Sequence, residues 1–281
     1  MQITGEDVDL TKLPFHAQHE NDGSVYISCG LDFSVDQETG LSNFGSRRLS
    51  LRNRYETGIN VTAPSDLKGI YQACVARGER HPISFAIGSG LLDFMASGMR
   101  IPTDENTLIA TMRGEPVPMV KCLTNDVLVT ADAEMILEGY LWKKGYTEPE
   151  GPYGEYMGYY GPMHMDPIFH CTAITMRSDM LHQTWLHGSA PVLGRVDGAM
   201  LWDVRSEGTI LDALKGVVRA HDTIKMNLCA GIPGQTRISF KQTRPGEVRA
   251  AMAAVFANVP NTKHLFLYDD DVDLWDERQL G

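Results

Sequence analysis

Apolar positions change their period several times along the chain, and each change marks an element. Val25-Tyr26-Ile27-Ser28-Cys29 predicts a strand, and Leu31-Asp32-Phe33-Ser34-Val35 a second strand or its continuation. Past the turn residues Asp36-Gln37-Glu38-Thr39-Gly40, a strand is expected over 43–51. From Pro64-Ser65, the residues Leu67, Ile70, Tyr71, Cys74 and Val75 recur at helical spacing, and Gly78 is a natural stop. The apolar run 82–88 predicts a short buried strand and 90–98 a short helix, while 107–114 fits either. Further strands are expected at 119–122, 127–129, 134–141 and 168–176. Residues 1–23 read as an entry loop, with Leu13-Pro14 and Asn21-Asp22-Gly23 as turn signals. In the last third, Ile210, Leu211, Leu214, Val217 and Val218 share one helical face within 209–221. Strands at 225–230 and 237–241, a helix from Pro245 through Val255 and a strand at 264–268 follow. Strands in the middle with helices outside them give a mixed α/β or α+β fold.

Composition adds limits. The 281 residues are 43% hydrophobic and 22% charged, an ordinary globular balance with room for a large core. A formal net charge of -11 argues against a nucleic-acid partner, which needs a basic face. No apolar run approaches the about 18 residues that span a membrane, and the N-terminal residues lack the basic start and apolar centre of a signal peptide. Cys29, Cys74, Cys122, Cys171 and Cys229 are odd in number and form no C-x-x-C pair, so free buried thiols in a reducing cytoplasm are expected.

The candidate chemistry centres on Glu150-Gly151-Pro152-Tyr153-Gly154-Glu155. Residues five apart on a plain strand face opposite sides. A turn through Gly151, Pro152 and Gly154 can fold both carboxylates onto one cavity. Two acids held close do not share one pKa, and the raised one can deliver a proton near neutrality. Taken alone, the pair reads as two solvated acids on a surface turn. Arg47, Arg48, Arg52 and Arg54 form the basic stretch of an acidic chain, each by itself an ordinary exposed charge. Zinc is poorly supported, since the nine histidines include no H-E-x-x-H and no paired Cys/His spacing. No G-x-S-x-G nucleophile elbow and no glycine-rich phosphate loop is present. Asp269-Asp270-Asp271-Val272-Asp273 reads as a strand leaving into a solvated loop, with a hard-cation site as the other reading.

Several separate stretches, in order, resemble the UbiD family of decarboxylases. They are Asn43-Phe44-Gly45-Ser46-Arg47-Arg48, Pro102-Thr103-Asp104-Glu105, Arg113-Gly114-Glu115-Pro116-Val117, Val120-Lys121-Cys122 with Asn125-Asp126, Glu138-Gly139-Tyr140, the Glu150 to Glu155 stretch with Gly158-Tyr159-Tyr160, and Leu267-Tyr268 with the aspartate run. Each is weak alone; seven in order over most of the chain are not.

The resemblance implies a split β-barrel flavin-binding core with surrounding helices. By it, residues 1–281 are the central cofactor-binding and catalytic region, with the family's N-terminal and C-terminal extensions largely absent. It implies an arginine between two acids as catalytic residues, here Arg48, Glu150 and Glu155. It places prenylated FMN on Asn43, Ser46, Arg47, Arg48, Ser65 and Lys241. A divalent metal at the cofactor phosphate, Mn2+ or Mg2+ with K+ nearby, would take Asn43, Asp66 and Glu105. Asp66 stands where the family has a histidine; an acid in the first turn of a helix is also favoured by the helix dipole, so ligand and helix-end roles both stay open. The implied function is non-oxidative, reversible decarboxylation of an aromatic or α,β-unsaturated carboxylic acid in the cytoplasm. A homo-oligomer or a subunit of a larger complex is expected, with no nucleic-acid or membrane partner. Two alternatives remain at this point: a non-catalytic, truncated flavin-binding or partner subunit, and a glycosidase-type carboxylate pair that has no use for Arg48.

Overall fold

The strand runs in the first two thirds close into a barrel. The structure is a computed structural model that describes residues 1–99, 104–156, 158–187, 197–228, 234–259 and 262–280, with backbone alone for 197–202. Pro102, Thr103, Cys229 and Ala230, which fall in the motifs and strands expected from the sequence, lie outside the described residues. The chain divides into two compact units, Met1–Gly154 with Tyr160–Trp185 and Glu155–Tyr159 with Leu186–Gly281, where the sequence suggested one region over 1–281.

In the first unit, β1 (Gln2–Thr4), β2 (Tyr26–Val35), β3 (Ser42–Leu51) and β4 (Glu56–Ile59) are followed by α1 (Asp66–Arg77) and β5 (His81–Ile87). Then come α2 (Leu91–Ser97), α3 (Asn106–Arg113), β6 (Met119–Lys121), β7 (Leu128–Thr130) and β8 (Met135–Leu141). Four short strands, β9 (Glu148–Glu150), β10 (Tyr153–Gly154), β11 (Tyr160–Gly161) and β12 (His164–Asp166), lead into β13 (Ile168–Met176). The barrel order is β13-β4-β3-β2-β5-β8, and β8 pairs back onto β13. All six contacts are antiparallel. Closure leaves no open sheet edge within the ring. Large apolar residues that share one face by register fill it: Leu49, Phe85, Leu137, Phe169 and Ile174 are essentially unexposed, while Leu31 and Phe33, also buried, lie on the other face of the sheet. Phe85 and Phe169 meet edge to face at 4.9 Å.

Helix α1 forms where its signals stand. The Ser65 hydroxyl caps the Lys68 amide at 3.3 Å, and Gly78 ends the helix at φ 72°, a left-handed conformation that glycine adopts without steric cost. The two strand runs at 25–35 are one continuous β2, and the ambiguous 107–114 segment is helix α3. The expected entry loop is not all loop: residues 2–4 pair with Ala173–Thr175 of β13, and Leu10 is buried.

In the second unit, α4 (Asp197–Lys215), β14 (Lys225–Asn227), β15 (Gln235–Ser239), α5 (Glu247–Asn258), β16 (His264–Tyr268) and α6 (Glu277–Leu280) form a three-stranded sheet with helices. Ile210, Leu214, Ile238, Phe240, Ala251 and Val255 form its core. Val217 and Val218, predicted inside the helix, lie beyond the end of α4 yet still pack against this core. The expected strand over 225–230 is β14 as far as residue 227, and the one over 237–241 is shifted by two residues, leaving Lys241 outside it.

Candidate active site

Strand β3 carries most of the expected site residues, and its alternation sorts them. Asn43, Gly45 and Arg47 lie on one side, Ser46 and Arg48 on the other. Asp32 of β2 sits opposite Gly45 and serves the first side. The buried Asn43 amide donates to Asp32 Oδ2 at 2.7 Å, and Arg47 Nε lies 3.2 Å from Asp32 Oδ1. Burial raises the Asp32 carboxyl, and Arg47 and Asn43 pull it back. The amide donation leaves Asn43 Oδ1 as its acceptor atom. Glu105 precedes α3 and accepts the Phe44 amide at 2.6 Å. Burial raises its pKa, and the charges of Asp66 and Asp32 add to the rise. Asp66 is exposed in the first turn of α1, where Ser65 rather than Asp66 supplies the side-chain cap. Asn43, Glu105, Asp66 and Asp32 thus form an oxygen-rich acidic neighbourhood with Arg47 beside it, a donor set suited to a hard divalent cation and an anion.

On the other side, Arg48 meets Glu150. Arg48 Nε donates to Glu150 Oε1 at 2.9 Å and Nη2 to Oε2 at 3.1 Å, a two-pronged pair. Glu150 ends β9 and is 2% exposed. The Arg48 guanidinium also lies over the Tyr153 ring, 4.2 Å from its centre, and Tyr153 packs on Tyr26 at 4.6 Å. Burial and the Glu150 charge push the Tyr26 phenol above its ordinary value. The turn after Glu150 is held tightly. Gly23 donates to Pro152 O at 2.8 Å, and a Cβ on Gly23 would lie 2.1 Å from Gly151 O. Gly151 has φ 104°, and the Gly151-Pro152 peptide is cis.

Glu155 follows β10 at the tip of the β10–β11 hairpin. Its amide donates to Tyr159 O at 2.9 Å, its carbonyl accepts from Gly158 N at 2.9 Å, and it is half-buried. The tip 155–159 belongs to the second unit by its contacts. Lys241, also in that unit, is exposed, and its amide donates to Thr223 Oγ1 at 3.0 Å. Arg48 and Glu150 are therefore brought together, as are Asn43, Glu105 and Asp66 more loosely. The aspartate run leaves β16 as a turn with Asp269, Asp271 and Asp273 exposed.

Three residues at the site escaped the sequence reading. Asp32 orients Asn43 and Arg47. His164 and Asp166 of β12 contact Glu150 across a two-strand ladder in which His164 pairs with Glu150. His164 Nε2 lies 3.0 Å from Glu150 Oε2 and 3.3 Å from Asp166 Oδ1. Burial, with the Glu150 charge, pushes the Asp166 carboxyl up to about 8, against the pull of Arg48 and Arg52. The available signal was the H-x-D alternation just before a strong strand, which puts both side chains on one face.

Comparison with known proteins follows the same outline. Residues 1–190 match the family described as the 3-octaprenyl-4-hydroxybenzoate carboxy-lyase Rift-related domain. Residues 199–280 match its C-terminal domain, so this stretch corresponds to a family domain of its own. The chain is 28% identical over 282 residues to an anhydromevalonate phosphate decarboxylase of Methanosarcina mazei, covering all of this chain and 64% of that protein. It superposes on an evolved dimeric form of the UbiD-class enzyme HmfF from Pelotomaculum thermopropionicum, in complex with prFMN, with TM-score 0.88 and 27% identity over all of this chain and 64% of that one. The open form of vanillic acid decarboxylase from Sedimentibacter hydroxybenzoicus superposes with TM-score 0.84 at 23% identity, over all of this chain and 59% of that one, a likeness of fold alone. No described helix is long and apolar enough to cross a membrane.

Proposed function

We propose a function from one premise: the chain belongs to the UbiD family of carboxy-lyases. Its reaction is the non-oxidative, reversible decarboxylation of an aromatic or α,β-unsaturated carboxylic acid with prenylated FMN. The observation that carries this reading is the two-pronged Arg48–Glu150 pair, its carboxylate buried. A decarboxylase must orient a carboxylate, and a guanidinium locked by a partner acid and a ring face keeps its fork pre-aimed. Glu150 fixes that orientation. Glu155 is the general acid that protonates the carbon after CO2 leaves, and it recovers its proton from solvent.

The residues fit the implied cofactor. Arg47 and the capped N-terminus of α1 at Ser65 offer donors to a phosphate, and the family resemblance adds Ser46 and Lys241 to the cofactor set. Asn43, Asp66 and Glu105 supply the oxygen set for Mn2+ or Mg2+, with K+ beside it. When bound, the prenylated flavin supplies the electron sink for the departing carboxylate. The chain spans 64% of its curated relative's length, and we read it as acting in a homo-oligomer or with a further subunit, in the cytoplasm.

The test is coexpression with a prenyltransferase that makes the cofactor, followed by flavin content per chain, CO2 release and deuterium uptake from D2O. The expected result is turnover in the unmutated chain and a loss of at least about 10²-fold in Glu155→Gln with flavin retained, since an amide of the same shape has no proton to give. Full activity in Glu155→Gln removes the assignment. Flavin bound without turnover in the unmutated chain favours the non-catalytic subunit.

A further inference from the structure

We propose that Glu150, His164 and Asp166 bind a first-row divalent cation at a site that uses none of Asn43, Asp66 or Glu105. Strand register creates the cluster. His164 and Asp166 are two apart on β12 and share a face, and His164 sits directly opposite Glu150 of β9. The three ligand atoms all lie within 4.8 Å of one another. The His164 ring is already turned toward the acids. Its Nδ1 faces Pro162 O at 3.2 Å, which directs Nε2 at the two carboxylates. A backbone carbonyl on the second ring nitrogen is the usual support of a metal-binding histidine.

The two separations from the imidazole match coordination. Metal–ligand bonds of about 2.1 Å put neighbouring ligand atoms about 3.0 Å apart in an octahedron and about 3.4 Å apart in a tetrahedron. Nε2 stands 3.0 Å from Glu150 Oε2 and 3.3 Å from Asp166 Oδ1.

A second, independent observation points the same way. Asp166 is fully buried, and neither of its oxygens has a hydrogen-bond donor among the described residues. A buried carboxylate in that state is costly unless a cation meets it. Arg48 and Arg52 offset part of its charge, while Glu150 adds to it. Asn60 completes the set. Its Nδ2 lies 2.9 Å from His164 Nε2, and turning the amide presents Oδ1 as a fourth donor. Two carboxylates and an imidazole suit Mn2+, Co2+ or Zn2+ better than Ca2+ or Mg2+. His164 is 24% exposed in its side chain, which gives an ion a way in.

The rival arrangement is an imidazolium bridging the two acids. Mn2+ added to the full chain, stripped of metal and without flavin or substrate, separates the two. The failure of this proposal is therefore distinct from failure of the decarboxylase reading. Nitrogen modulation in pulsed electron paramagnetic resonance reports an imidazole ligand, which the Asn43, Asp66 and Glu105 set lacks. The expected result is one Mn2+ with imidazole coupling, kept in Glu105→Gln and lost in His164→Gln. The isosteric Asp166→Asn keeps the fold and weakens binding at least about tenfold. Coupling that survives His164→Gln overturns the proposal, as does absence of Mn2+ binding at millimolar ion. A nitrogen-15 spectrum with both His164 nitrogens protonated at neutral pH, unchanged by Zn2+, overturns it in favour of the imidazolium.

Discussion

Arg48 makes two hydrogen bonds from two different guanidinium nitrogens to the two oxygens of Glu150. Lysine keeps the charge there and loses the fork and the stacking on Tyr153. Arg48→Lys should therefore lose at least about tenfold in turnover at unchanged flavin content, as each lost charge-assisted bond is worth about 1.5–3 kcal/mol. Steady-state CO2 release beside the flavin-to-protein ratio checks it, and wild-type turnover refutes it. His81 offers a second test, of stability. It is fully buried against Cys74, and burial pulls its imidazole down to about 4 from the ordinary value of about 6.5. The unfolded chain takes up a proton through that window and the folded chain does not. Stability is then complete above about pH 6.5 and falls as pH drops toward 4, by up to about 3 kcal/mol. Urea midpoints at pH 7 and 4.5 measure the fall, and His81→Gln should shrink the difference. Arg48 and Glu150 were legible in the sequence because a motif with fixed spacing carries each. Asp166 and His164 were not, because their meeting with Glu150 depends on strand register across a thirteen-residue connection, and composition says nothing about register.

Elements with a long period or a clear stop were readable: α1 from its cap serine and terminal glycine, β3 from the turn residues before it, and β13 from its apolar run. Strands β4 and β9 to β12 have two to four residues each, too short for any period to show, and tertiary pairing makes them. Yet β4 is what joins β3 to β13 and completes the barrel. The same holds for the turn after Glu150, whose shape rests on the backbone of Gly23 as much as on its own glycines. A methyl group at Gly23 would collide with Gly151 O and Gly151 C, both backbone atoms that cannot swing aside. Gly23→Ala should therefore displace the turn that carries Glu150 and Tyr153 and cost at least about tenfold in turnover, since small misplacements of positioning groups cost about that or more. Barrel stability should change less, because the six-strand ring does not pass through this turn. Activity beside a urea midpoint distinguishes the outcomes: unchanged turnover would mean the close approach is not needed. In contrast, Ser65→Ala removes one cap bond and should cost about 1 kcal/mol, with the midpoint shift as its measure.

At the scale of the whole molecule, the chain has two separate interiors. The ring of β2, β3, β4, β5, β8 and β13 encloses Leu49, Phe85, Leu137 and Phe169, all barely exposed. The second unit buries Ile210, Leu214, Ile238, Phe240 and Val255 around its own three-stranded sheet. The sequence showed the change of character in the last third but the expectation was a single region, although Gly188, Pro191, Gly194 and Gly198 crowd the stretch just past Trp185. Separate cores predict separable losses, since substitutions with no shared partners act independently. Ile238 is fully buried on β15, between β14 and β16. Ile238→Ala removes three buried carbons and leaves a cavity, a change of about 2–5 kcal/mol. Native-state hydrogen exchange should then rise across α4, β14, β15, α5 and β16 and stay near its original level in the barrel strands, because local opening follows cooperative units. Phe169→Ala should give the mirror result. Equal acceleration of every amide in both variants would show instead that the two interiors open as one, and that the division drawn from the contacts has no energetic counterpart.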